Sequence, residues 1–272
     1  MLNASIVLYK HKVAEITPLV EILRKSGVVN EVYLVDNSPN EQSEFRRLEV
    51  NYIFNNKNLG YGVAHNIALK KSIANSTPYH LVVNPDITFN PNVLTELVNY
   101  MDANVEIGHV MPKVIYPDGR TQFLCKLLPT PFDLIFRRFL PASWTEKQRA
   151  RFELRATGYD KVMDVPYLSG CFMLLRIEAL KNVGLFDERF FMYPEDIDLT
   201  RRIHQHYRTV FYPHVTITHH HAQESYKSPR LLWIHITNMI RYFNKWGWCW
   251  DAERRKTNKK IIGDITNKAG ET

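Results

Sequence analysis

The densest run of reactive side chains is Tyr193–Ile203, YPEDIDLTRRI, in which Glu195, Asp196 and Asp198 stand directly before Arg201 and Arg202. A carboxylate walled off from water has a raised pKa, as a general base requires. The preceding DERFFMY run supplies aromatic residues for such walls. A plain helix start explains part of the same pattern. Pro194 suits a first helical position. Acids in the first turn gain about 0.3–1 kcal/mol each from the helix dipole. Asp198 is spaced to pair with Arg201 or Arg202 at i+3 and i+4. Helix formation therefore explains Asp198 well and leaves Glu195 and Asp196 partly unexplained.

Other candidates close apolar runs. Asp36 ends EVYLVD and begins Asp36-Asn37-Ser38; it can accept hydrogen bonds from a nucleobase or ribose, or fold back on its own turn. Asp86 ends YHLVVNPD, where a carboxylate can hold a hard cation or remain a solvated turn residue. In NKNLGYGVAHN, Asn58 and Gly60 precede a helical pattern whose N–H groups could face an anion. The run is neither GxGxxG nor a P-loop. Asn66 lies within that helical pattern, as a ligand contact or a solvated residue. His219, His220 and His221 end an apolar run; His219 and His221 would share a strand face. Without a second ligand set at zinc-finger spacing they do not predict a closed zinc site.

The elements that must position these groups alternate. ASIVLY, EVYLVDN, NYIF and YHLVV read as buried strands, and Thr17–Lys25, YGVAHNIALKKSI and PNVLTELVNYM as helices. This predicts an α/β fold, a Rossmann-like, mostly parallel central sheet flanked by helices, with ligands at the carboxyl ends of strands. From 118 to 164 the pattern breaks into a proline-, arginine- and apolar-rich flap. CFMLLRIEALKNVGLF restores a strand and short helix, and RTVFYP and VTITHHH follow the acidic run. After Pro229 comes an aromatic helical stretch. Trp233, Ile236, Ile240 and Phe243 recur at core-packing spacing, while Arg230, Arg241, Lys245, Trp246, Trp248 and Trp250 would also suit an interfacial helix on anionic lipid. DAERRKTNKK reads as a polar, basic tail. The expected organisation is a domain over 1–228 and an extension over 229–272.

With 272 residues and 45% apolar content, the chain can bury a substantial core. Its net charge of +7 favours anionic partners without naming one. Cys125, Cys171 and Cys249 form no CxxC pair, which predicts a reduced, cytoplasmic setting. The first residues read as a strand, not a signal peptide, and no run reaches the ~18 apolar residues of a spanning helix.

Taken in order, SIVLY, VDNS, NLGYGVAHNIAL, NPD, SGCFMLLR, FDERFFMYPEDIDLTRRI and VTITHHHAQES resemble the signposts of inverting family-2 glycosyltransferases with a GT-A fold, most of all bacterial rhamnosyltransferases of surface-polysaccharide (O-antigen) assembly. The resemblance spans residues 4–225. It implies that L-rhamnose moves from dTDP-L-rhamnose to a lipid-linked or glycan acceptor, with other nucleotide-sugars such as a UDP-hexose or galactofuranose donor as the alternative. Tyr9, Asp36, Asn58, Gly60, Asn66, Asn84 and Asp86 would line the nucleotide-sugar site. Asp86 and His219 would hold Mg2+ or Mn2+; the family's DxD reads Asn84-Pro85-Asp86 here, so its first carboxylate is missing. Asp196 would be the catalytic base, with Glu195 beside it. Such a protein would be cytoplasmic, peripheral on the inner face of the membrane. The basic charge also suits a nucleic-acid-binding module, but no recognised module accompanies it, so no nucleic-acid partner is expected. The reduced NPD motif keeps an inactive relative in play.

Overall fold

The computed structural model describes residues 1–220 and 229–269. Leu2–Leu8 (β1) is buried along nearly its whole length, as a central strand of a covered parallel sheet must be. Val13–Lys25 (α1) packs Ile16, Leu19, Val20 and Leu23 inward and leads to Val29–Asp36 (β2). Asn51–Phe54 (β3), Tyr61–Ala74 (α2) and Tyr79–Val83 (β4) complete the parallel half. Next come Ile87–Phe89 (β5), Asn92–Ala103 (α3) and Ile107–Ile115 (β6).

The flap segment contains little sheet. Cys125–Lys126 (β7) precedes helices Pro131–Leu134 (α4) and Ala142–Phe152 (α5), then Met163–Asp164 (β8) and Tyr167–Leu168 (β9). Phe172–Arg176 (β10), Ile177–Val183 (α6), Glu195–His204 (α7) and Arg208–His219 (β11) follow. Pro229–Trp246 (α8) and Ala252–Ala269 (α9) close the fold.

The main sheet runs β3-β2-β1-β4-β10-β6-β11-β5, with β8 paired to β11. β3, β2, β1 and β4 are mutually parallel. β10 lies antiparallel between β4 and β6, and β6 and β11 pair in parallel. β7 and β9 form a separate antiparallel pair under the flap. The mostly parallel, helix-flanked architecture is the one expected from the strand–helix alternation. RTVFYP and VTITHHH are one strand, with a register irregularity between Tyr212 and Thr216.

The C-terminal segment differs from its sequence reading. Trp233 and Ile240 are exposed, and the buried face is Asn238, Met239, Tyr242 and Phe243, which joins the main core. An apolar stripe predicts a buried face only where a core lies opposite it; here the polar Asn238 takes a core position by donating to the Met192 carbonyl. The basic groups are used within the fold: Arg241 donates to the Arg189 carbonyl, Lys245 pairs with Asp187 and Asp198, and Trp246 donates to Asp198. The side chain of Arg230 and the boundary drawn at 228 lie outside the described residues. DAERRKTNKK is not a tail but part of α9, because Arg254 is buried and caps the Trp248 carbonyl while Asn258 bonds Leu128 on both backbone atoms. Among the described residues, no helix is long and apolar enough to cross a membrane.

Candidate active site

The acidic run starts α7. Pro194 stands one residue before the helix, and Glu195 and Asp196 occupy its first turn. Asp198 is fully buried and paired with Arg202 at 2.9 Å, the i+4 partner. Arg201 turns away to Asp251, with two contacts of 2.8 Å, and to Glu253. These two arginines therefore lock the helix in place and are not part of a reactive cluster.

Glu195 and Asp196 lie in different surroundings. Glu195 is 5% exposed, and its Oε2 is buried without a hydrogen-bond partner among the described residues. Burial, then the Asp196 charge, pushes Glu195 up to about 8. Asp196 is half-buried. Its Oδ2 accepts the Gly170 N–H at 2.9 Å, and its Oδ1 accepts the Ile197 N–H at 2.8 Å. Burial raises Asp196, opposed by the Gly170 hydrogen bond and the Lys126 charge. The environments push these neighbouring carboxylates in one direction but to different extents, which is how acid and base roles are separated.

A hydrogen-bonded path links this pair to the Asn-Pro-Asp turn. The Tyr61 hydroxyl donates to the Gly170 carbonyl at 2.7 Å and lies 3.2 Å from Asn84 Oδ1. Two residues beyond Asn84, Asp86 Oδ1 lies 3.3 Å from His219 Nε2. Burial opposes protonation of His219, but the facing Asp86 carboxylate together with Cys171 outweighs it and pushes the imidazole up to about 10. Gln122 fixes that ring: its Oε1 lies 3.0 Å from Nδ1, and its Nε2 donates to the His219 carbonyl at 2.9 Å. Nδ1 thus carries a proton toward Gln122, and Nε2 faces Asp86, where a bound cation would take the place of its proton. Adjacent N and O ligands at about 2.0–2.2 Å from one cation lie roughly 3 Å apart at right angles, so this pair has the spacing for a shared divalent ion. The described residues hold no cluster of three His, Cys, Asp or Glu around a metal position, and substrate and water oxygens are ordinary ligands of such an ion. His220 serves the turn: its N–H donates to the Asp86 carbonyl, and its ring meets Thr88. His221 lies outside the described residues.

The other expected contacts divide into lining and scaffold. Tyr9 is 47% exposed beyond β1. Asp36 has no exposed surface; Oδ1 accepts the Ser38 N–H at 2.8 Å and Oδ2 the Tyr52 hydroxyl at 2.7 Å. Each oxygen keeps a lone pair, but with no exposed surface Asp36 could meet a nucleobase only if the Ser38 turn or Tyr52 moved aside. Asn58 Oδ1 accepts the Gly60 N–H and faces Asn37, which also bonds the Gly60 carbonyl. Gly60 has φ +85°, and a Cβ there would lie 2.1 Å from the Phe191 carbonyl oxygen, so only glycine fits. Asn66 is used on the backbone: its amide both donates to the Phe186 carbonyl and accepts the Phe186 N–H. It holds the segment leading into α7 and is not open to a pocket. Gln122, Tyr61, Gly170 and Lys126 went unseen in the sequence. Only long-range contact joins them to the carboxylates, and their local patterns carry no distinctive spacing.

Comparison with known proteins accords with this geometry. The family model described as Glycosyltransferase like family 2 matches residues 27–244, and the chain belongs to that family. An N-acetylglucosaminyl-diphospho-decaprenol L-rhamnosyltransferase of Mycobacterium tuberculosis is 30% identical over 186 residues, a match covering 63% of this chain but only 59% of the relative. Rhamnosyltransferase WbbL of Escherichia coli is 27% identical over 195 residues, covering 67% of this chain and 69% of the relative. Among solved structures, GalNAc-T7 with UDP, GalNAc and Mn2+ superposes with a TM-score of 0.60 at 17% identity, covering 90% of this chain and 48% of that one, a likeness of fold.

Proposed function

We propose that this chain transfers a sugar from a nucleotide diphosphate donor to a lipid-linked or polysaccharide acceptor with inversion, the donor being dTDP-L-rhamnose. The observation that carries this reading is the path Asn84–Tyr61–Gly170–Asp196, which ties a paired Asp86 and His219 to a half-buried carboxylate. The rhamnosyltransferase names of its relatives favour the sugar.

In the reaction, an acceptor hydroxyl oxygen bonds to the anomeric carbon from the face opposite the leaving group. The bond from that carbon to the diphosphate oxygen breaks, and its electron pair leaves with the nucleotide. Asp196 takes the hydroxyl proton. Each of its oxygens already accepts one backbone N–H, which fixes the carboxylate and leaves a lone pair on each for the proton. Burial of Glu195 favours its neutral form, whereas the two backbone N–H groups on Asp196 favour the ionised one. Asp86 and His219 would hold Mg2+ or Mn2+, whose charge would stabilise the departing diphosphate. Tyr9, Asn58, Gly60 and Asn84 would line the nucleotide-sugar site, with Asp36 and Asn66 shaping it from behind. A single displacement requires no protein nucleophile.

The test is nucleotide release and sugar transfer across dTDP-, UDP- and GDP-sugars with Mn2+ or Mg2+. Release from dTDP-L-rhamnose ahead of the others is the expected result. A preference for a UDP-sugar would replace the donor, and no release from any donor with acceptors present would defeat the reading.

A further inference from the structure

A cavity of about 880 Å³ opens beneath the flap. Gln122, which orients His219, lines one side of it, and Lys126, whose charge couples to Asp196, lines another. Its cations fall into two groups. Arg149 and Arg155 are neutralised by Glu153, with Glu146 adding to Arg155, and Arg120 is paired with Asp118. Lys126 and Arg137 differ: among the described residues neither has a carboxylate within ion-pair distance. Each is held on an aromatic face instead, Lys126 5.0 Å from the Tyr167 ring and Arg137 5.6 Å from that of Phe152. An aromatic face positions a cation without cancelling its charge. Arg137 Nη1 is buried and has no hydrogen-bond partner among the described residues. A guanidinium that leaves a buried donor unused costs stability unless a ligand completes it. Burial lowers the Lys126 pKa, the more distant Glu153 and Asp196 charges raise it, and Arg137 lowers it. Neither cation of the pair is in direct contact with a carboxylate among the described residues, so an anion between them would stabilise both.

The flap also carries exposed apolar side chains. Phe136, next to Arg137, is 55% exposed; Leu140, which lines the cavity, is 39% exposed; and Trp144 is 79% exposed. A phosphate-sized charge site with an apolar rim fits a phosphorylated lipid better than a free anion.

Resting on the transferase reading, we infer that Lys126 and Arg137 form a phosphate subsite for the acceptor, binding the phosphate or diphosphate that joins its glycan to a lipid, separate from the donor's diphosphate at Asp86 and His219.

The probe is farnesyl diphosphate, titrated by calorimetry into the full chain already saturated with dTDP and Mn2+. Inorganic pyrophosphate and farnesol form the control arms. One equivalent of farnesyl diphosphate should bind, with pyrophosphate weaker and farnesol weaker still. A Lys126→Met/Arg137→Met variant, which keeps an unbranched stem at each position and removes the charge, should lose at least about 10-fold in farnesyl diphosphate affinity and keep its dTDP–Mn2+ affinity, which also shows that it is folded. Equal affinity for pyrophosphate and farnesyl diphosphate would assign the cavity to a free anion and overturn the acceptor role. Unchanged farnesyl diphosphate affinity in the variant, or loss of dTDP instead, would also overturn it. Failure of wild type to bind dTDP with Mn2+ at all would count against the transferase reading, a result separate from these.

Discussion

The Gly170 N–H donates to Asp196 Oδ2 at 2.9 Å, and an ideal Cβ on Gly170 would lie 3.0 Å from Asp196 Cβ. The same residue's carbonyl accepts the Tyr61 hydroxyl at 2.7 Å. Gly170 therefore bridges the carboxylate and the turn that carries Asn84, and a methyl there would crowd Asp196 by a few tenths of an ångström. Gly170→Ala should push Asp196 off its hydrogen bond. The expected result is a fall in kcat of about 10- to 100-fold with donor KM nearly unchanged, since a small misplacement of a reacting group costs rate before binding. Equal losses in kcat and in nucleotide affinity would show that the glycine supports the whole pocket instead.

Asp196 and Glu195 should separate by substitution. Asp196→Asn should lower transfer by about 10²–10⁴-fold, the usual worth of a general base, while nucleotide binding persists. Lost nucleotide binding would make Asp196 a structural residue. Glu195→Gln should retain measurable transfer. If it instead abolishes transfer while Asp196→Asn does not, Glu195 is the base.

The Glu195 environment also makes a stability prediction with a definite sign. Its pKa is raised in the folded state, from the usual carboxyl value up to about 8, by burial first and the Asp196 charge second. A folded state that binds a proton more tightly than the unfolded chain has that contribution in full below the unfolded pKa, and loses it as pH rises through the folded one. Wild type should therefore lose stability between about pH 4.5 and 8 relative to Glu195→Gln, whose side chain never ionises. Thermal melts across this range should show the variant's Tm rising against wild type and levelling off above pH 8, by roughly 2–4 °C for each kcal/mol lost. A pH-independent difference would mean that Glu195 does not titrate in this window.

Gln122 offers a test of the cation site that does not alter either proposed ligand. It fixes the His219 ring through Nδ1 and the backbone carbonyl. Removing such an outer partner commonly costs 10–100-fold in metal affinity. Gln122→Leu should weaken Mn2+ binding by about that factor, read by calorimetry in the presence of a nucleoside diphosphate, with Gln122→Glu losing less. No change in either variant would separate His219 from the cation.

How much of this was legible in the sequence follows from the range of the interactions. The strands and helices around β1, β2 and β4 were readable because each is encoded by its own apolar run. Asp198 with Arg202 was readable because it is an i+4 pair within one helix. Asp86 and His219 stand far apart in the chain and meet only through the pairing of β5 with β11. Gly170, Tyr61 and Gln122 are linked to the site by contacts of the same long-range kind, so no local pattern marks them. The face of α8 was misread because burial depends on what lies opposite, and Trp233 and Ile240 have no core there. Arg201 was offered to Asp198 for the same reason, since Asp251 lies beyond the reach of any helix-spacing rule.

That last pairing carries a final prediction. Arg201 is 1% exposed and forks onto Asp251 at 2.8 Å through both terminal nitrogens, with its guanidinium 4.0 Å from the Trp246 ring. The contact joins α7, whose first turn holds Asp196, to the start of α9. A buried pair broken from one side leaves an uncompensated charge and costs about 3–5 kcal/mol, whereas replacing both partners with apolar residues of similar size costs far less. Asp251→Ala should therefore lower the denaturation midpoint sharply, even though Glu253 still reaches Arg201 at its exposed side. Arg201→Met/Asp251→Leu should recover much of that loss. If the double variant instead stays as unstable as Asp251→Ala, the fork supplies packing that no apolar pair replaces. Activity read in parallel decides whether this lock serves the base: with the fold intact, a double variant whose kcat falls while dTDP affinity holds would mean that the C-terminal helices set the position of Asp196 through α7.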